Sequence, residues 1–206
     1  INELIEKKQS KEKVQIIWVA RYIKWKHPEI VLKLAKNLKK QNYDFEIKML
    51  GTGKLINKIN KKISKINLDN VIEVVGQVPS DKVKEYMEEA DIFIGTSDKQ
   101  EGWGAVVNES MNAGCAIVAN VRMGSVPVLI KEGENGFTYK TYDELERKTK
   151  KLIENRELRK KIGKNAYTFI TEKWTSSIAA NNILKLFDSI LNGEEFNINE
   201  GPASKE

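Results

Sequence analysis

Two basic residues, Arg21 and Lys26, stand with four residues between them in Arg21-Tyr22-Ile23-Lys24-Trp25-Lys26, directly after the apolar run 14–20 (VQIIWVA). If that run is a strand, both cations stand over the edge of a sheet, well placed to neutralise a diphosphate. On residue type alone the pair reads equally as two surface cations. Gly51-Thr52-Gly53 follows a second strand-like segment and precedes a helical pattern. Glycines there let backbone approach a ligand closely, and a helix N-terminus favours anions. The pattern is not a full dinucleotide fingerprint, because Leu55 and Ile56 stand where a third glycine is expected. The third group is Gln100-Glu101-Gly102-Trp103-Gly104, with Glu109 further on. Two glycines around Trp103 suit a tight turn with exposed backbone N–H groups at a helix start, again an anion site. Glu101 and Glu109 lie about 12 Å apart along a helix axis, too far for an acid/base pair across one bond. They suit two hydrogen-bonding anchors on either side of a ligand, although either glutamate alone reads as a cap or a solvated acid.

These residues need a scaffold, and the apolar pattern supplies one. Residues 14–20, 45–50, 71–75, 92–95 and 115–119 read as short strands. Helical stripes separate them: Ile30, Val31, Leu34, Ala35 and Leu38 after Pro28; Ile56, Ile59, Ile63 and Ile66; Val83, Tyr86, Met87 and Ala90 behind a Ser80 or Asp81 cap; and a helix over 104–113. Strands alternating with longer helices predict an α/β fold, a Rossmann-like doubly wound parallel sheet. Ligands of such sheets sit outside the carboxyl ends of the strands, where the three groups fall. Beyond Gly136 only helices are expected, near 142–154, 156–171 and 175–191, the first opened by the capping box Thr141-Tyr142-Asp143-Glu144. The tail 192–206 is polar and is expected to be disordered.

The chain has 206 residues, 40% hydrophobic, enough for one domain with a real core. Its net charge of +6 could favour anionic ligands. Much of that charge is lysine spaced around helices, such as Lys54, Lys58, Lys61, Lys62 and Lys65, which reads as a solvated face. No basic patch interleaved with exposed aromatics or nucleic-acid motif is present, so no nucleic-acid partner is expected. Cys115 is the only cysteine, which excludes an internal disulfide, and it reads as a small core residue. No run is long enough to span a bilayer, and a cytoplasmic protein is expected. His27 is the only histidine; a general base is conceivable, but no carboxylate partner is evident and a solvent-exposed or capping role before Pro28 is favoured.

Taken in order, Arg21-x4-Lys26, Gly51-x-Gly53, Gly76-Gln77-Val78-Pro79, Ala90-Asp91-Ile92-Phe93-Ile94 and Glu101-Gly102-Trp103-Gly104-x4-Glu109-Ser110-Met111-x-Ala113-Gly114 resemble the retaining GT-B glycosyltransferases of the large group 1 family. The resemblance runs from about residue 13 to 190. It implies that this chain is the C-terminal, donor-binding half of a two-domain enzyme moving a sugar from a nucleotide-diphosphate donor, UDP- or GDP-linked, to an acceptor hydroxyl. Arg21 and Lys26 resemble the pair that clamps the diphosphate and stabilises the departing nucleotide. Glu109 resembles the ribose anchor, and Glu101 the residue that reaches the transferred sugar. Backbone of Gly102, Trp103 and Gly104 is expected against the sugar and diphosphate, and Val78 near the base.

The resemblance also implies what else to expect. Residues 1–13 are expected as a linker remnant, 14–191 as the nucleotide-sugar domain. The partner would be an N-terminal acceptor-binding domain, which could also give peripheral membrane association. The helix near 175–191 resembles the segment that packs on that domain, so an exposed apolar face and little or no transfer by this chain alone are expected. Metal and cofactor are not implied: no Asp-x-Asp motif is present, and Arg21 with Lys26 would replace it. Polysaccharide or lipopolysaccharide assembly is the plausible setting. Two features depart from the family. Met123-Gly124-Ser125-Val126-Pro127-Val128 has Val128 where many relatives carry an acid, and His27 stands where many have glycine. The rival readings are a sugar-nucleotide 2-epimerase on the same fold and a non-catalytic binding module.

Overall fold

The structure, a computed structural model, describes residues 1–9, 11–198 and 201–204. Six parallel strands lie in the order β3-β2-β1-β4-β5-β6: β1 (Val14–Val19), β2 (Phe45–Leu50), β3 (Ile72–Gly76), β4 (Ile92–Gly95), β5 (Ala116–Asn120) and β6 (Gly136–Tyr139). The order runs outward in one direction from β1 and in the other from β4. The topological switch therefore lies between these two neighbours, which pair through Ile16↔Ile92 and Ile17↔Phe93. In a doubly wound sheet the ligand crevice opens at the carboxyl ends of that pair.

Both faces of the sheet are covered, which is why the central strands read as continuous apolar runs. Side chains alternate between faces with period two. Ile16, Trp18, Ile92, Ile94, Ala116 and Val118 join one core with Val31, Leu34, Ala35 and Leu38 of α2 (Pro28–Lys40), Ile59 and Ile63 of α3 (Ile56–Lys65), and Leu145 and Leu152 of α7 (Tyr142–Glu154). Ile17, Phe93, Ile117 and Ala119 join the other with Met87 of α4 (Ser80–Glu89), Val107 and Met111 of α5 (Val106–Asn112), and Ala166 and Ile170 of α8 (Arg156–Lys173). Asp91, in the quoted motif, ties the two central strands at their start: its carboxylate accepts from the Gln15 N–H at 2.8 Å. The capping box forms as expected, with the Thr141 side chain and Glu144 exchanging bonds.

Several boundaries and elements differ from the sequence reading. Ser80 and Asp81 do not cap α4; Pro79 is the cap residue, and no side chain closes the turn. Beyond Gly136 the chain is not all helix: the edge strand β6 comes first, and a short helix not expected from the sequence, α6 (Val126–Leu129), precedes it. β6 is only four residues long and begins with glycine, too short to give a period. The expected linker holds helix α1 (Asn2–Gln9), with Ile5 buried. Lys8 is also buried, and its ammonium donates to the Met87 carbonyl at 3.0 Å and to that of Ala90 at the end of α4. Part of the expected disordered tail is ordered against the helices: the Pro202 carbonyl accepts from Asn182 Nδ2 at 2.9 Å on α9 (Ser176–Asn192). Residues 199, 200, 205 and 206 of that tail lie outside the described residues. Cys115 is fully buried beside Lys8, as a core residue should be. Ile183, Leu184, Phe187, Ile190 and Leu191 leave an apolar stripe exposed along α9. Among the described residues no helix is long and apolar enough to cross a membrane.

Candidate functional site

After β1 the chain turns out of the sheet into a 3-10 turn, Lys24–Lys26, before Pro28 opens α2. This turn brings the two expected cations together over one ring. The Arg21 guanidinium lies 5.7 Å and the Lys26 ammonium 4.4 Å from the centre of the Trp25 indole. Trp25 is the residue that reading by charge missed; an aromatic between two cations, able to orient both through its π face, was the available signal. Arg21 is exposed and Lys26 is largely buried. Burial first, and the Arg21 charge second, push the Lys26 ammonium down to about 8.

The turn is fixed from the β4 side. Thr96, buried at the end of β4, accepts from Trp18 Nε1 at 2.7 Å and donates to the Lys26 carbonyl. Two residues on, the Asp98 N–H donates to the Trp25 carbonyl at 3.0 Å, and the Glu101 N–H donates to the Asp98 carbonyl at 3.0 Å. This chain of bonds delivers Glu101 to Lys26, and their side chains form an ion pair with only 11% of the lysine and 13% of the glutamate side chain exposed. Arg21, Lys26 and Glu101 therefore form one cluster at the switch between β1 and β4.

His27 also belongs to this cluster, contrary to the expectation that it lacks a carboxylate. Its Nε2 is 3.0 Å from Asp98 and its Nδ1 3.2 Å from Glu29. The sequence could not show the Asp98 contact, which joins residues 71 positions apart. His27 has φ 49, in the left-handed region, which explains why a glycine would suit this place. A side chain there costs roughly 1–2 kcal/mol.

The glycines after β2 have a role in packing that the sequence reading did not include. A Cβ on Gly51 would sit 2.1 Å from the Ala20 carbonyl oxygen, and one on Gly53 would sit 2.7 Å from that of Tyr22. Both glycines let the loop after β2 lie directly on the loop after β1, sealed by Tyr22 N–H to Thr52 O and Leu55 N–H to Tyr22 O, each 2.9 Å. They thus hold the backbone that carries Arg21. Gly102, Trp103 and Gly104 lie on the Glu101 loop, but α5 starts only at Val106, so the helical rise expected between Glu101 and Glu109 does not apply. Here too a glycine closes the packing: a Cβ on Gly124 would fall 1.7 Å from the Gly102 carbonyl oxygen. The Gly124 and Ser125 N–H groups donate to the Glu101 and Trp103 carbonyls at 3.3 and 2.8 Å. The Trp103 indole stacks on Trp174 with centroids 5.9 Å apart and donates to Asn108.

Glu109 stands on the other side of the β1 end. With Val19, Ser80, Val83, Lys84, Met87 and Asn112 it lines a cleft of about 360 Å³, and Val78, like Val19 and Val83, packs against the core on that face of the sheet. Val19 is two residues before Arg21, so the cleft and the basic cluster flank the same strand end. A hollow of about 540 Å³ on the flank of α7 has only charged helix-surface side chains around it and touches none of the strand-end loops. Among the described residues no group of acids, His and Cys is arranged to hold a metal.

A profile of the family described as "Glycosyl transferases group 1" matches residues 1–169. The chain belongs to this family. It is 32% identical over 192 residues to an uncharacterized glycosyltransferase of Methanocaldococcus jannaschii, the match covering 90% of this chain and 48% of that protein. The fold is that of solved GT-B glycosyltransferases. A variant of S. aureus TarM solved with UDP superposes with a TM-score of 0.76 at 22% identity, over 86% of this chain and 36% of that one. Anabaena HepE solved with UDP-glucose superposes with a TM-score of 0.75 at 19% identity, over 91% of this chain and 53% of that one. The chain spans about half the length of the Methanocaldococcus jannaschii relative and of a second uncharacterized glycosyltransferase from the same organism.

Proposed function

We propose that this group 1 glycosyltransferase chain is the donor-binding half of a retaining enzyme, holding a UDP- or GDP-linked sugar for transfer to an acceptor hydroxyl. The observation that carries the reading is the convergence of Arg21 and Lys26 over Trp25 with Glu101 against Lys26, at the sheet's switch point. Two cations at this place match a diphosphate in charge and offer its oxygens charge-assisted donors. They would also stabilise the negative charge that grows on the nucleotide as the glycosidic bond breaks. The cleft at Glu109 then takes the nucleoside, with the carboxylate accepting from the ribose hydroxyls and Val78 near the base. The loop at Glu101 takes the sugar, whose hydroxyls can donate to that carboxylate. The acceptor and the rest of the catalytic cleft belong to a second, N-terminal half that would cover the apolar stripe of α9.

Calorimetric titration of the chain with UDP, GDP and ADP tests this, alongside Lys26→Ala and Glu109→Ala. The expected result is saturable binding of one nucleotide, lost or strongly weakened in both variants. Equal affinity of both variants and the native chain for that nucleotide would overturn the assignment.

A further inference from the structure

We propose that His27 is a positioning residue whose imidazolium fastens the Lys26 turn to the Glu101 loop, making the arrangement of the diphosphate site depend on protonation of this one ring. The proposal rests on the reading that Lys26 meets the donor diphosphate. Its structural part stands on the contacts alone. His27 immediately follows Lys26 and precedes the proline that opens α2. Asp98 sits three residues before Glu101 and carries it through the Glu101 N–H to Asp98 O bond. The ring lies between Asp98 at 3.0 Å and Glu29 at 3.2 Å, one carboxylate at each nitrogen.

A neutral imidazole has one N–H and one lone pair, so it can donate to only one of two carboxylates. The imidazolium donates to both. Loss of the proton therefore turns a lone pair toward one of the acids: facing Asp98 it releases the loop of Glu101, and facing Glu29 it leaves a neutral hydrogen bond to Asp98 in place of a charged one. Asp98 is itself held ionised: the Gln100 N–H donates to its Oδ1 at 2.9 Å and, with the ring, keeps its carboxyl below the usual carboxylate range. The elements around the ring also carry Lys24 and Lys26 on the turn, with Lys26 paired to Glu101, Lys99 next to Asp98, and Lys33 and Lys36 on α2, with Lys33 lying over the Tyr142 ring. The backbone adds a second argument. His27 keeps a left-handed conformation that a glycine adopts freely, and such strain persists where surrounding contacts over-determine it. Here those contacts are the two carboxylates.

The chain has one histidine, so its imidazole C2–H gives a single proton NMR signal. That signal is followed between about pH 5 and 7, below the range in which Lys26, pushed down to about 8, loses its charge, together with the amides of Trp25, Lys26, Gln100 and Glu101. The amides on both loops are expected to shift with the midpoint of the ring. The shared transition is expected to vanish in His27→Gln and in His27→Gly, which the backbone accepts. Amides of Gln100 and Glu101 that stay flat while the ring titrates, or that titrate unchanged in His27→Gln, would overturn the clamp. Binding of UDP-glucose and GDP-mannose is measured over the same range, because their diphosphates do not ionise there. The native chain is expected to lose about three- to tenfold in affinity as the ring deprotonates, and both His27 variants to show no such step. A step of equal size in the variants refutes the functional part. Failure of both sugar nucleotides to bind refutes the donor reading, and the NMR titration then still decides the clamp.

Discussion

The Lys26–Glu101 ion pair makes an unusual prediction: removing an acid from the site should tighten nucleotide binding. Lys26 is the expected diphosphate ligand, yet its ammonium is already in contact with the Glu101 carboxylate. A diphosphate must share or break that pair. Exposed pairs are worth about 0–1 kcal/mol, whereas breaking a buried pair costs about 3–5 kcal/mol. With side chains 11% and 13% exposed at the mouth of a loop, this pair falls between them, at about 1–2 kcal/mol. Glu101→Gln abolishes the competing charge, so a nucleoside diphosphate should bind about five- to thirtyfold more tightly. Lys26→Ala removes a charge-assisted bond worth about 1.5–3 kcal/mol and should weaken binding by about 10- to 150-fold.

The sugar nucleotide separates this exchange from a general change in charge. If Glu101 turns from Lys26 to the sugar hydroxyls when donor binds, Glu101→Gln gains on the diphosphate and loses on the sugar. The ratio of sugar-nucleotide to nucleotide affinity should then fall in this variant. Calorimetry near neutral pH is the assay, since Lys26, pushed down to about 8 by burial and Arg21, is still cationic there. Unchanged or weaker nucleoside diphosphate binding by Glu101→Gln would refute the exchange.

Three further outcomes follow from the same contacts. Trp25→Leu removes the ring over which Arg21 and Lys26 lie; at about 0.5–1 kcal/mol per cation nucleotide affinity should fall by several-fold, and calorimetry showing no change would refute the orienting role. Gly124→Ala places a methyl 1.7 Å from the Gly102 carbonyl oxygen and should cost about 2–4 kcal/mol in denaturant unfolding, whereas Gly102→Ala, whose Cβ would meet nothing within 4 Å, should stay within about 0.5 kcal/mol. Burial opposes ionisation of Glu146, but bonds from Asn37, Lys150, Gln41 and Tyr142 outweigh it and hold the carboxyl down to about 2. A depressed carboxyl stabilises the fold above its unfolded value, so that contribution is complete above about pH 4.5 and is lost as pH falls toward about 2. After allowance for solvent screening it amounts to about 1–2 kcal/mol, and urea unfolding of Glu146→Gln at both ends of this window should show the difference only at the upper end.

The doubly wound sheet was legible because its central strands are buried on both faces, so 14–20, 92–95 and 115–119 appear as apolar runs with no alternation to interpret. The edge strand β6 was not, because Gly136-Phe137-Thr138-Tyr139 is too short and mixed to mark itself, and it is defined by pairing with β5 through Ile117↔Gly136 to Asn120↔Tyr139. Helix α1 was hidden for another reason. Between Glu and Lys it offers only Leu4 and Ile5 as an apolar stripe, and its anchor is a lysine whose buried charge finds carbonyls at the end of α4. No periodicity encodes a contact of that kind.

Within the site, residue types were readable and their pairings were not. Arg21 and Lys26 were visible as cations after a strand, but their common platform is the intervening Trp25, and the acid that holds Lys26 comes from 75 positions away. Gly51 and Gly53 illustrate the limit most clearly. A Gly-x-Gly after a strand suggests room for a phosphate, and the space a side chain would need is filled here by the backbone of Ala20 and Tyr22. The glycines still serve the cation cluster, since without them the loop after β2 could not support the loop that carries Arg21. The same logic separates His27 from a glycine at its place. Glycine would satisfy the backbone, whereas histidine adds two contacts to acids, one of them on the loop of Glu101. At that position the side chain, more than the backbone conformation it adopts, carries information about this chain.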